Sequence, residues 1–494
     1  MDQDSRAHAI RIAIVGAGPA GLLLANLLLH GQHQKNHSGR VHVDITIMEA
    51  DASPTARSEY GSDLDLQPDS GLRVMHHSGL WDDLEPHARF RAATVAFSDH
   101  EGTLYLRRVR GHSGRGPVSP EVDRGALMEV LRGGVSRHQG KVAWGKKVVR
   151  VEAEDHDNNY RSRVWLHLST GERDGPYDLV VGADGAWSRV RESVSDVRPK
   201  YAGYAGFVGK IVHASASIAD AIGPGTHFAF RRGQKVTGHR RADGSLQVAV
   251  VLEKDEAWAN SFAGSTDDAI RNAIVAELQA TGWDDSFLTW VKATASWRPY
   301  PQYHLPPPPT AEELWPHRRG ITLIGDAAHL LTTFGGKGVN IAFVDAFELT
   351  GKIVEALTVV DESGEVELSE VEHGREESVG LVSVCRNLDK AVRAFELSMS
   401  RRAAETYAMT MLNQRCVSST YAPVELLSVV LANAACGEIA AYESVLRRLQ
   451  RTLVRTLAFA VFAGVRFWGA ASRVVSARAS RIRTGEIAGQ PSAD

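Results

Sequence analysis

The stretch from Ile10 to Glu49 decides the fold, and it opens with IRIAIVGAGPAGLLLANLLL at residues 10–29. Residues 10–15 form a short apolar run that predicts a strand, and residues 18 to about 30 predict a buried helix. Residues 41–48 alternate apolar and polar side chains, as a second strand does. The order strand, glycine turn, helix and strand predicts a βαβ unit at the start of a doubly wound sheet.

The turn between strand and helix carries the pattern G-x-G-x-x-G at Gly16, Gly18 and Gly21, with Ala20 inside it. The first glycine permits the tight turn, the second lets backbone approach a pyrophosphate, and the third lets helix pack on strand. The amino end of the helix then offers unpaired N–H groups to phosphates. Glu49 closes the second strand, where a carboxylate can accept hydrogen bonds from a ribose. Together these features predict a dinucleotide site.

The apolar run at residues 10–29 is also long enough to imitate a membrane span or the core of a signal peptide. Glycines interrupt the run where a tight turn needs them. The preceding residues, MDQDSRAHA, are not a basic leader, and no small-residue cleavage site follows. We therefore expect neither a signal peptide nor a membrane span at this place.

Composition limits the class of protein. A chain of 494 residues is too long for one ordinary core, which predicts two or three domains. With 43% hydrophobic and 23% charged residues, the balance is that of a globular enzyme. A net charge of −3 argues against a nucleic-acid-binding protein. The cysteines, Cys385, Cys416 and Cys436, lack metal-ligand spacing, so we expect buried reduced thiols, no metal site and a cytoplasmic protein.

Further along the chain, the pattern predicts helices at 69–80 and 124–138 and a strand that ends at Asp184. From about 201 to 300 it changes to β-rich segments broken by a helical stretch at 266–281, which predicts a separate antiparallel sheet. A proline-rich loop at 306–309 precedes a strand at 320–324 and a helix over 338–357.

The C-terminal part is predicted to be helical over 381–413 and 437–472, after an acidic surface loop at 361–377 and before a disordered tail that follows Arg483. Residues 453–471 are apolar, but the uninterrupted run is about ten residues, short of the roughly 20 that span a bilayer. Arginines lie within this stretch and around it: Arg447, Arg448, Arg451, Arg455, Arg466, Arg473, Arg478, Arg481 and Arg483. We expect a helix packed on the protein's own surface; an interfacial membrane helix or a dimer contact stays open.

Two later segments add to the first motif: GADG at 182–185, and GDAAH at 325–329 continuing as LLTTFGGKGVN. Together the three segments resemble the signatures of the single-component (group A) FAD-dependent monooxygenases of the aromatic-hydroxylase family. The stretch GSDLDLQPDSGLRVM at 61–75 looks most like the tetracycline-inactivating and natural-product flavin monooxygenases. The resemblance covers about residues 10–350.

This resemblance implies an α/β fold in which a Rossmann-type FAD-binding domain carries an inserted antiparallel β-sheet substrate domain and C-terminal helices. The implied bounds are 1–200 for the first part of the FAD-binding domain, 201–300 for the β-rich substrate domain, 301–360 for the second part, and 381–483 for the C-terminal helical region.

The resemblance also implies roles for single residues. Asp326 would bond the ribityl chain of FAD, the backbone at Gly336 and Gly338 would cradle the flavin's pyrimidine edge, and Asn340 would help hold that loop. Glycines before a helix also give exposed N–H donors at a positive dipole end, which suits an anionic reduced flavin.

Asp184 is similar to a residue that serves both FAD and the nicotinamide cofactor. Arg124 matches an arginine that contacts FAD at the start of a helix, and Arg57 matches one beside the flavin. For both arginines an ordinary surface position is the alternative. His329 is expected to be a packed residue of its motif and not a base.

Two departures concern the oxygen chemistry. Thr332 and Thr333 stand where relatives often carry proline, and Lys337 stands where they often carry glutamine. The proline region lies near the flavin face at which oxygen reacts. Lys337 could stabilise an anionic flavin or a phenolate substrate, or point into solvent. Since the chemistry takes place at flavin C4a, no catalytic side chain is assigned beyond Lys337 and Arg57 as candidates.

The implied activity is insertion of one oxygen atom of O₂ into an electron-rich ring of a small molecule, with NAD(P)H as a transient reductant. An FAD oxidase or dehydrogenase, or a flavin protein that guides a non-redox cyclisation, stays open as an alternative. A halogenase is disfavoured because no W-x-W-x-I-P segment is present. Aromatic residues of the β-rich region are candidates for lining the substrate site or for its core: Tyr204, Phe207, Phe228, Phe230 and Trp297.

Overall fold

The computed structural model describes residues 9–33, 43–56, 63–90, 94–109, 119–154, 161–241, 243–307, 314–357, 373–436, 452 and 454–465. Across these residues the strands are β1 (Ile10–Val15), β2 (Val43–Met48), β3 (Leu64–Asp65), β4 (Ala88–Arg89), β5 (Thr94–Asp99), β6 (Leu104–Val109), β7 (Glu121–Val122), β8 (Val142–Ala143), β9 (Val148–Glu154), β10 (Arg163–Leu168), β11 (Arg173–Tyr177), β12 (Leu179–Gly182), β13 (Lys200–Tyr201), β14 (Tyr204–Ile211), β15 (Thr226–Arg231), β16 (Gln234–Arg240), β17 (Leu246–Glu253), β18 (Ser296–Pro299), β19 (Tyr303–His304) and β20 (Ile321–Leu323).

The α-helices are α1 (Pro19–His33), α2 (Arg73–His77), α3 (Trp81–Leu84), α4 (Arg124–Arg137), α5 (Ala216–Ile222), α6 (Glu256–Asn260), α7 (Asp267–Ala280), α8 (Asp285–Ala293), α9 (Asp326–His329), α10 (Gly338–Leu357), α11 (His373–Ser418), α12 (Val424–Cys436) and α13 (454–465). Short 3₁₀ turns lie at Glu85–His87, Arg191–Ser193 and Thr333–Gly335, and a π-helical turn at Pro68–Leu72.

The chain divides into two compact units. The first comprises Met1–Ala92, Gly114–Ala202 and Gln302–Met411, and the second comprises Ala93–Ser113, Gly203–Pro301 and Leu412–Asp494. Strands β5 and β6 therefore belong to the second unit, although the bounds inferred from the sequence put them in the first part of the FAD-binding domain. The functional domain bounds themselves stay a prediction.

A five-stranded parallel sheet in the order β20-β12-β1-β2-β8 forms the centre of the first unit. In β1, Ile12 lies opposite Leu179 on one side and Ile45 on the other. A strand buried on both faces reads as a continuous apolar run, which is why Ile10–Val15 imitates part of a membrane span. The predicted βαβ unit is confirmed, and α1 continues to His33, beyond the expected end near residue 30.

The helix predicted at 69–80 is present over residues 68–77, but its first turn, Pro68–Leu72, is π-helical and it ends with α2 at His77. The N–H of Leu72 bonds the carbonyl oxygen of Gln67 at 3.0 Å, and the side chain of Asn340 accepts the N–H of Gly71 at 3.2 Å. A side chain from a distant helix takes an N–H that a regular helix would use internally, and this widens the turn.

The second unit contains a seven-stranded sheet in the order β18-β14-β17-β16-β15-β5-β6. Its strands pair antiparallel except β15 and β5, which pair parallel. The antiparallel sheet predicted for residues 201–300 and the helix near 266–281 are confirmed. Helices α5, α6 and α8 are not expected from the sequence, because short strands and turns around them mask their periodicity.

The C-terminal part differs from the prediction at its boundaries. Helix α11 begins at His373, within the segment predicted as an acidic loop, and ends at Ser418, later than the expected 413. Helix α12 was not expected, and of the helix predicted over 437–472 the described part is 452 and 454–465. The rest of that helix, residues 361–372 and the tail after Arg483 lie outside the described residues. Within the described part of the chain, no helix combines the length and apolar character needed to cross a membrane.

Candidate functional site

The three sequence motifs follow three strands of the parallel sheet, at the edge where their carboxyl ends meet. Gly16 follows β1, Ala183 follows β12, and Gly325 comes shortly after β20. The N–H of Ala183 bonds the carbonyl oxygen of Val15 at 2.7 Å, and that of Ile324 bonds Gly182 at 2.9 Å. The carboxyl edge of an open parallel sheet is where α/β proteins bind their ligands.

The glycines of the first motif differ in whether the fold leaves room for a side chain. Gly16 has a φ of 106°, and a Cβ atom on it would overlap the carbonyl oxygen of Ala183. A Cβ atom on Gly21 would overlap the carbonyl oxygen of Gly16, so both glycines are required by the fold itself. A Cβ atom on Gly18 would meet no atom of the described residues within 4 Å. The missing side chain of Gly18 therefore leaves space for a ligand, as close approach of a pyrophosphate requires.

Glu49 braces the same turn. Its Oε2 accepts the N–H of Ala17 at 2.7 Å, and its Oε1 accepts the N–H of Asp51 at 3.0 Å. The side chain is half-buried, and each carboxylate oxygen keeps a second lone pair. The geometry thus combines a structural role with capacity to accept a hydroxyl group of a ligand.

Asp184 caps the turn that follows it. Its carboxylate accepts the hydroxyl of Ser188 at 2.5 Å and the N–H groups of Arg189 at 2.7 Å and Val190 at 3.3 Å. Burial raises the pKa of Asp184, and these hydrogen bonds oppose the increase. The side chain holds this turn at the edge of the sheet.

Asp326 is the first residue of α9, and its side chain is exposed to solvent at a site with many protein atoms around it. This surrounding protein raises the pKa of Asp326, while the positive charges of His329 and Arg124 act to lower it. Arg124 is presented by the start of α4, where Asp123 caps the helix by accepting the N–H of Ala126 at 3.0 Å. Arg124 therefore lies within electrostatic reach of Asp326.

A buried ionic network that sequence reasoning missed lies behind this motif. Asp345 of α10 is fully buried; its Oδ2 lies 2.5 Å from Nε2 of His329 and accepts the N–H of Gly325 at 3.0 Å. Its Oδ1 accepts Nη2 of Arg402 at 2.9 Å, and Nη1 of Arg402 donates to Glu348 at 2.7 Å. Asp345 lies in an otherwise apolar helical stretch, which is the signal that could have found it.

The network determines the charge of His329. Burial alone would raise the pKa of Asp345 and lower that of His329, but their pairing reverses both directions. The pairing with Asp345 therefore favours the cationic form of His329. Its Nδ1 is buried and has no hydrogen-bond partner within the described residues.

The glycine loop before α10 has a defined shape. Gly336 is left-handed with a φ of 62°, and a Cβ atom on Gly335 would overlap the hydroxyl of Thr410. Both the N–H and the hydroxyl of Thr333 donate to Oε1 of Gln302, at 3.0 and 3.1 Å. Gly338 begins α10, and space around its Cα is open.

The other residues of this region differ in burial. Thr332 is buried, while Lys337 is half-buried and takes part in a further interaction. Lys337 therefore does not extend freely into solvent, and its role toward a flavin stays a prediction. Arg57 lies outside the described residues.

Asn340 connects α10 to the segment at 65–71. Its Oδ1 accepts the N–H of Gln67 at 2.8 Å, and its Nδ2 donates to the carbonyl oxygen of Asp65 at 2.8 Å. These hydrogen bonds fix residues 65–71, which lie within the stretch that carried part of the family resemblance. The role of Asn340 toward the glycine loop stays a prediction.

The two faces of the second unit's sheet differ. Phe207 in β14 and Trp297 in the neighbouring strand β18 point to the same face of the sheet. On this face the ring of Phe207 packs against those of Trp258 and Phe262, with ring centres 5.9 and 5.3 Å apart. These two residues therefore belong to a helix-covered core and are not candidates for the other face. Alternation along β14 puts Gly206 and Val208 on that other face.

The centre of the other face carries small side chains bordered by rings. The ring of Tyr300 lies over Gly206, and Phe228 stacks on Phe97 with ring centres 5.4 Å apart. Thr237 lies between these borders, with a buried hydroxyl that has no hydrogen-bond partner among the described residues. Burial lowers the pKa of its neighbour on this face, Lys235, to about 8.

A parallel sheet with glycine-containing motifs and an accessible carboxylate at its carboxyl edge is typical of dinucleotide-binding proteins. A family model described as "FAD binding domain" matches residues 9–368, and the chain belongs to that family. It is 29% identical over 395 residues to "Monooxygenase penA" of Penicillium thymicola, covering 71% of this chain and 86% of the relative.

The chain is also 27% identical over 473 residues to "Monooxygenase asqM" of Emericella nidulans, covering 87% of this chain and 100% of the relative. Among solved structures, "tetracycline destructase Tet(55)" matches with a TM-score of 0.56 and 16% identity, over 92% of this chain and 97% of that chain. The last likeness concerns the fold alone. The relatives and the family together make this chain an FAD-dependent monooxygenase, as the sequence predicts.

Proposed function

We propose that this chain uses NAD(P)H and O₂ to insert one oxygen atom into an electron-rich ring of a natural-product-like small molecule. The observation that carries the proposal is the meeting of three motifs at one sheet edge, with open space at Gly18 and an accessible Asp326. FAD, when bound, supplies the redox chemistry, and the chain supplies binding and orientation.

The residues at this edge divide the work of holding FAD. The turn at Gly16, Gly18 and Gly21, with Ala20 in the first turn of α1, would receive the pyrophosphate, and Glu49 the ribose. Asp326 would bond the ribityl chain. In this proposal Asp184 acts by holding its turn in place.

The flavin ring would lie against backbone N–H groups at the start of α10. Gly336 and Gly338 expose these groups where the helix dipole favours negative charge. Arg124 and Lys337 would add positive charge near a reduced flavin. Asn340 supports this arrangement from the side of residues 65–71.

The face of the second unit's sheet that carries Gly206, Thr237 and Lys235 would bind a ring-shaped substrate. Flat rings border a centre of small side chains there, and aromatic rings stack favourably on such borders. The amine of Lys235, with its pKa lowered to about 8, would pair with a phenolate or enolate below that pH. Such anions belong to electron-rich rings, on which oxygen insertion is favoured.

A cytoplasmic location fits the cysteine chemistry. Cys385 and Cys416 are free and buried, and burial raises the pKa of each thiol to about 12, so that neither is a reactive thiolate. The side chain of Cys436 lies outside the described residues.

The decisive experiment supplies purified FAD-loaded protein with phenolic and enolic ring compounds and with NADPH or NADH, with catalase present. We expect ring compounds to accelerate NAD(P)H oxidation and yield a product heavier by about 16 Da, the mass of one oxygen atom. A loss of about 2 Da would identify a dehydrogenase instead. An isomerised product formed without NAD(P)H would identify a non-redox cyclase, and either result would overturn the proposal.

A further inference from the structure

We propose that the exposed face of α13 is a binding surface for anionic lipid membranes, on which the helix lies without crossing the bilayer. The proposal concerns a part of the chain distant in sequence from the three motifs, and it holds whatever substrate the enzyme oxidises.

Helix α13 has one face packed on the protein. Ala458 and Phe462 are buried in a cluster with Tyr105, Val424 and Leu427. The packed helix that the sequence predicts is thus present, and this packing fixes which side chains point outward.

The opposite face of α13 is apolar as well. Leu457 is 59% exposed and Val461 is 65% exposed, the highest value for a large hydrophobic side chain among the described residues. Ala460 and Gly464 are exposed on the same face, one turn apart. An exposed apolar helix face of this kind marks a binding site for an apolar partner, either another protein or a membrane.

Charge indicates which partner this is. Between Ser444 and Gly485 the charged residues are nine arginines, and no aspartate, glutamate or lysine occurs. The whole chain has a net charge of −3, so this stretch is opposite in sign to the rest of the protein. Arg455 pairs with Glu425 at 2.8 Å, while the other eight arginines flank the helix in sequence. Apolar side chains flanked in sequence by arginines fit the surface of a membrane that contains anionic lipids.

A second copy of the chain fits this face less well. A symmetric dimer would cover Leu457 and Val461 in both copies, but it would offer no opposite charge to the arginine-rich sequence on either side of them. Nucleic acid would use the arginines but would leave Leu457 and Val461 without an apolar partner. The described part of α13, residues 454–465, extends about 18 Å, and none of the described helices is long and apolar enough to cross a bilayer core of about 30 Å.

The test uses the full-length FAD-loaded protein and flotation with vesicles. One set of vesicles contains phosphatidylcholine alone, and the other contains about 30% phosphatidylserine. We expect flotation with the anionic vesicles, weakening as salt is added, and little with the neutral ones. The double variant Leu457→Gln and Val461→Gln should bind anionic vesicles at least about tenfold more weakly.

The matched control is Val212→Gln, which changes a valine that is 54% exposed elsewhere in the second unit and should bind like the parent protein. Flavin absorbance and far-ultraviolet circular dichroism verify that each variant is folded. Equal flotation of the double variant and the parent, or no flotation of the parent, would overturn the proposal. A parent dimer in light scattering that becomes monomeric in the double variant would assign the face to a second copy instead.

Discussion

Arg402 donates from Nη2 to Oδ1 of Asp345 at 2.9 Å, and through this contact a residue of α11 fixes the turn that presents Asp326. Arg402 lies beyond the part of the chain that the family model matches. Asp345 is fully buried and also holds the N–H of Gly325. The guanidinium is therefore, beside His329, a countercharge for a carboxylate on which the third motif depends.

Replacing Arg402 by glutamine should destabilise the protein by about 3 kcal/mol, because it leaves a buried carboxylate with less countercharge. FAD should bind at least about tenfold more weakly, since the turn at Gly325 loses its anchor. Arg402→Lys keeps the charge and should recover part of both losses. Chemical denaturation and titration of the apoprotein with FAD measure the two effects.

Glu348→Gln is the matched control, since Glu348 receives the other arm of Arg402 at 2.7 Å without touching the turn. It should leave FAD affinity within about twofold of the parent. If Arg402→Gln also left FAD affinity unchanged, the positioning role of Arg402 would be wrong.

The glycines of the first motif should separate folding from cofactor binding. Gly21→Ala forces a methyl group onto the carbonyl oxygen of Gly16 and should cost more than about 2 kcal/mol of folding free energy. Gly18→Ala adds the same methyl group where no described atom is near. It should leave the melting temperature of the apoprotein unchanged while weakening FAD binding.

Melting of the apoprotein and FAD titration of both variants check this difference. Equal loss of apoprotein stability in the two variants would show that Gly18, like Gly21, is required by the fold.

Lys235 should make substrate binding depend on pH. Its amine is cationic below its pKa of about 8 and neutral above it, so KM for an ionised ring substrate should rise as pH increases through 8. Lys235→Met should raise KM and remove that rise, with kcat changed less. Thr237→Val is a matched change on the same face that should leave the pH profile of KM in place.

His317 should make the free energy of unfolding depend on pH. Its Nδ1 lies 2.6 Å from Glu396 and its Nε2 lies 3.1 Å from Asp389, both on α11, and hydrogen bonding to these carboxylates raises the pKa to about 9. Because the folded pKa lies above the ordinary value, the contribution is complete below about pH 6.5 and is lost as pH rises through 9.

The loss should amount to about 2 kcal/mol. Unfolding in urea at several pH values should show it in the parent protein and not in His317→Gln. A parent protein whose unfolding free energy stayed level from pH 7 to 10 would contradict the assignment.

The sequence predicted the first βαβ unit and the three motifs because tight turns and buried parallel strands restrict residue choice locally. Gly16 and Gly21 are required by backbone contacts, and such requirements appear in the sequence as glycine. The helix over 338–357 was equally clear, because its buried face repeats along an uninterrupted stretch.

The connections between distant segments could not be predicted in this way. Asn340 reaches residues 65–71, and Arg402 reaches Asp345 across the fold, yet neither side chain is marked by its neighbours in sequence. The face on which a strand residue lies was also undetermined: Phe207 and Phe228 are both aromatic residues of β-rich segments, but only pairing shows that they occupy opposite faces.

The contact between Arg402 and Asp345 has a consequence for biosynthesis. The first glycine of the site leaves the ribosome early, whereas Arg402 emerges hundreds of residues later. Domains generally fold in the order in which they are synthesised, but this cofactor site needs both an early segment, the first glycine motif, and a late residue, Arg402. Loading with FAD is therefore expected to be a late event, and nascent chains that stop before α11 should remain colourless.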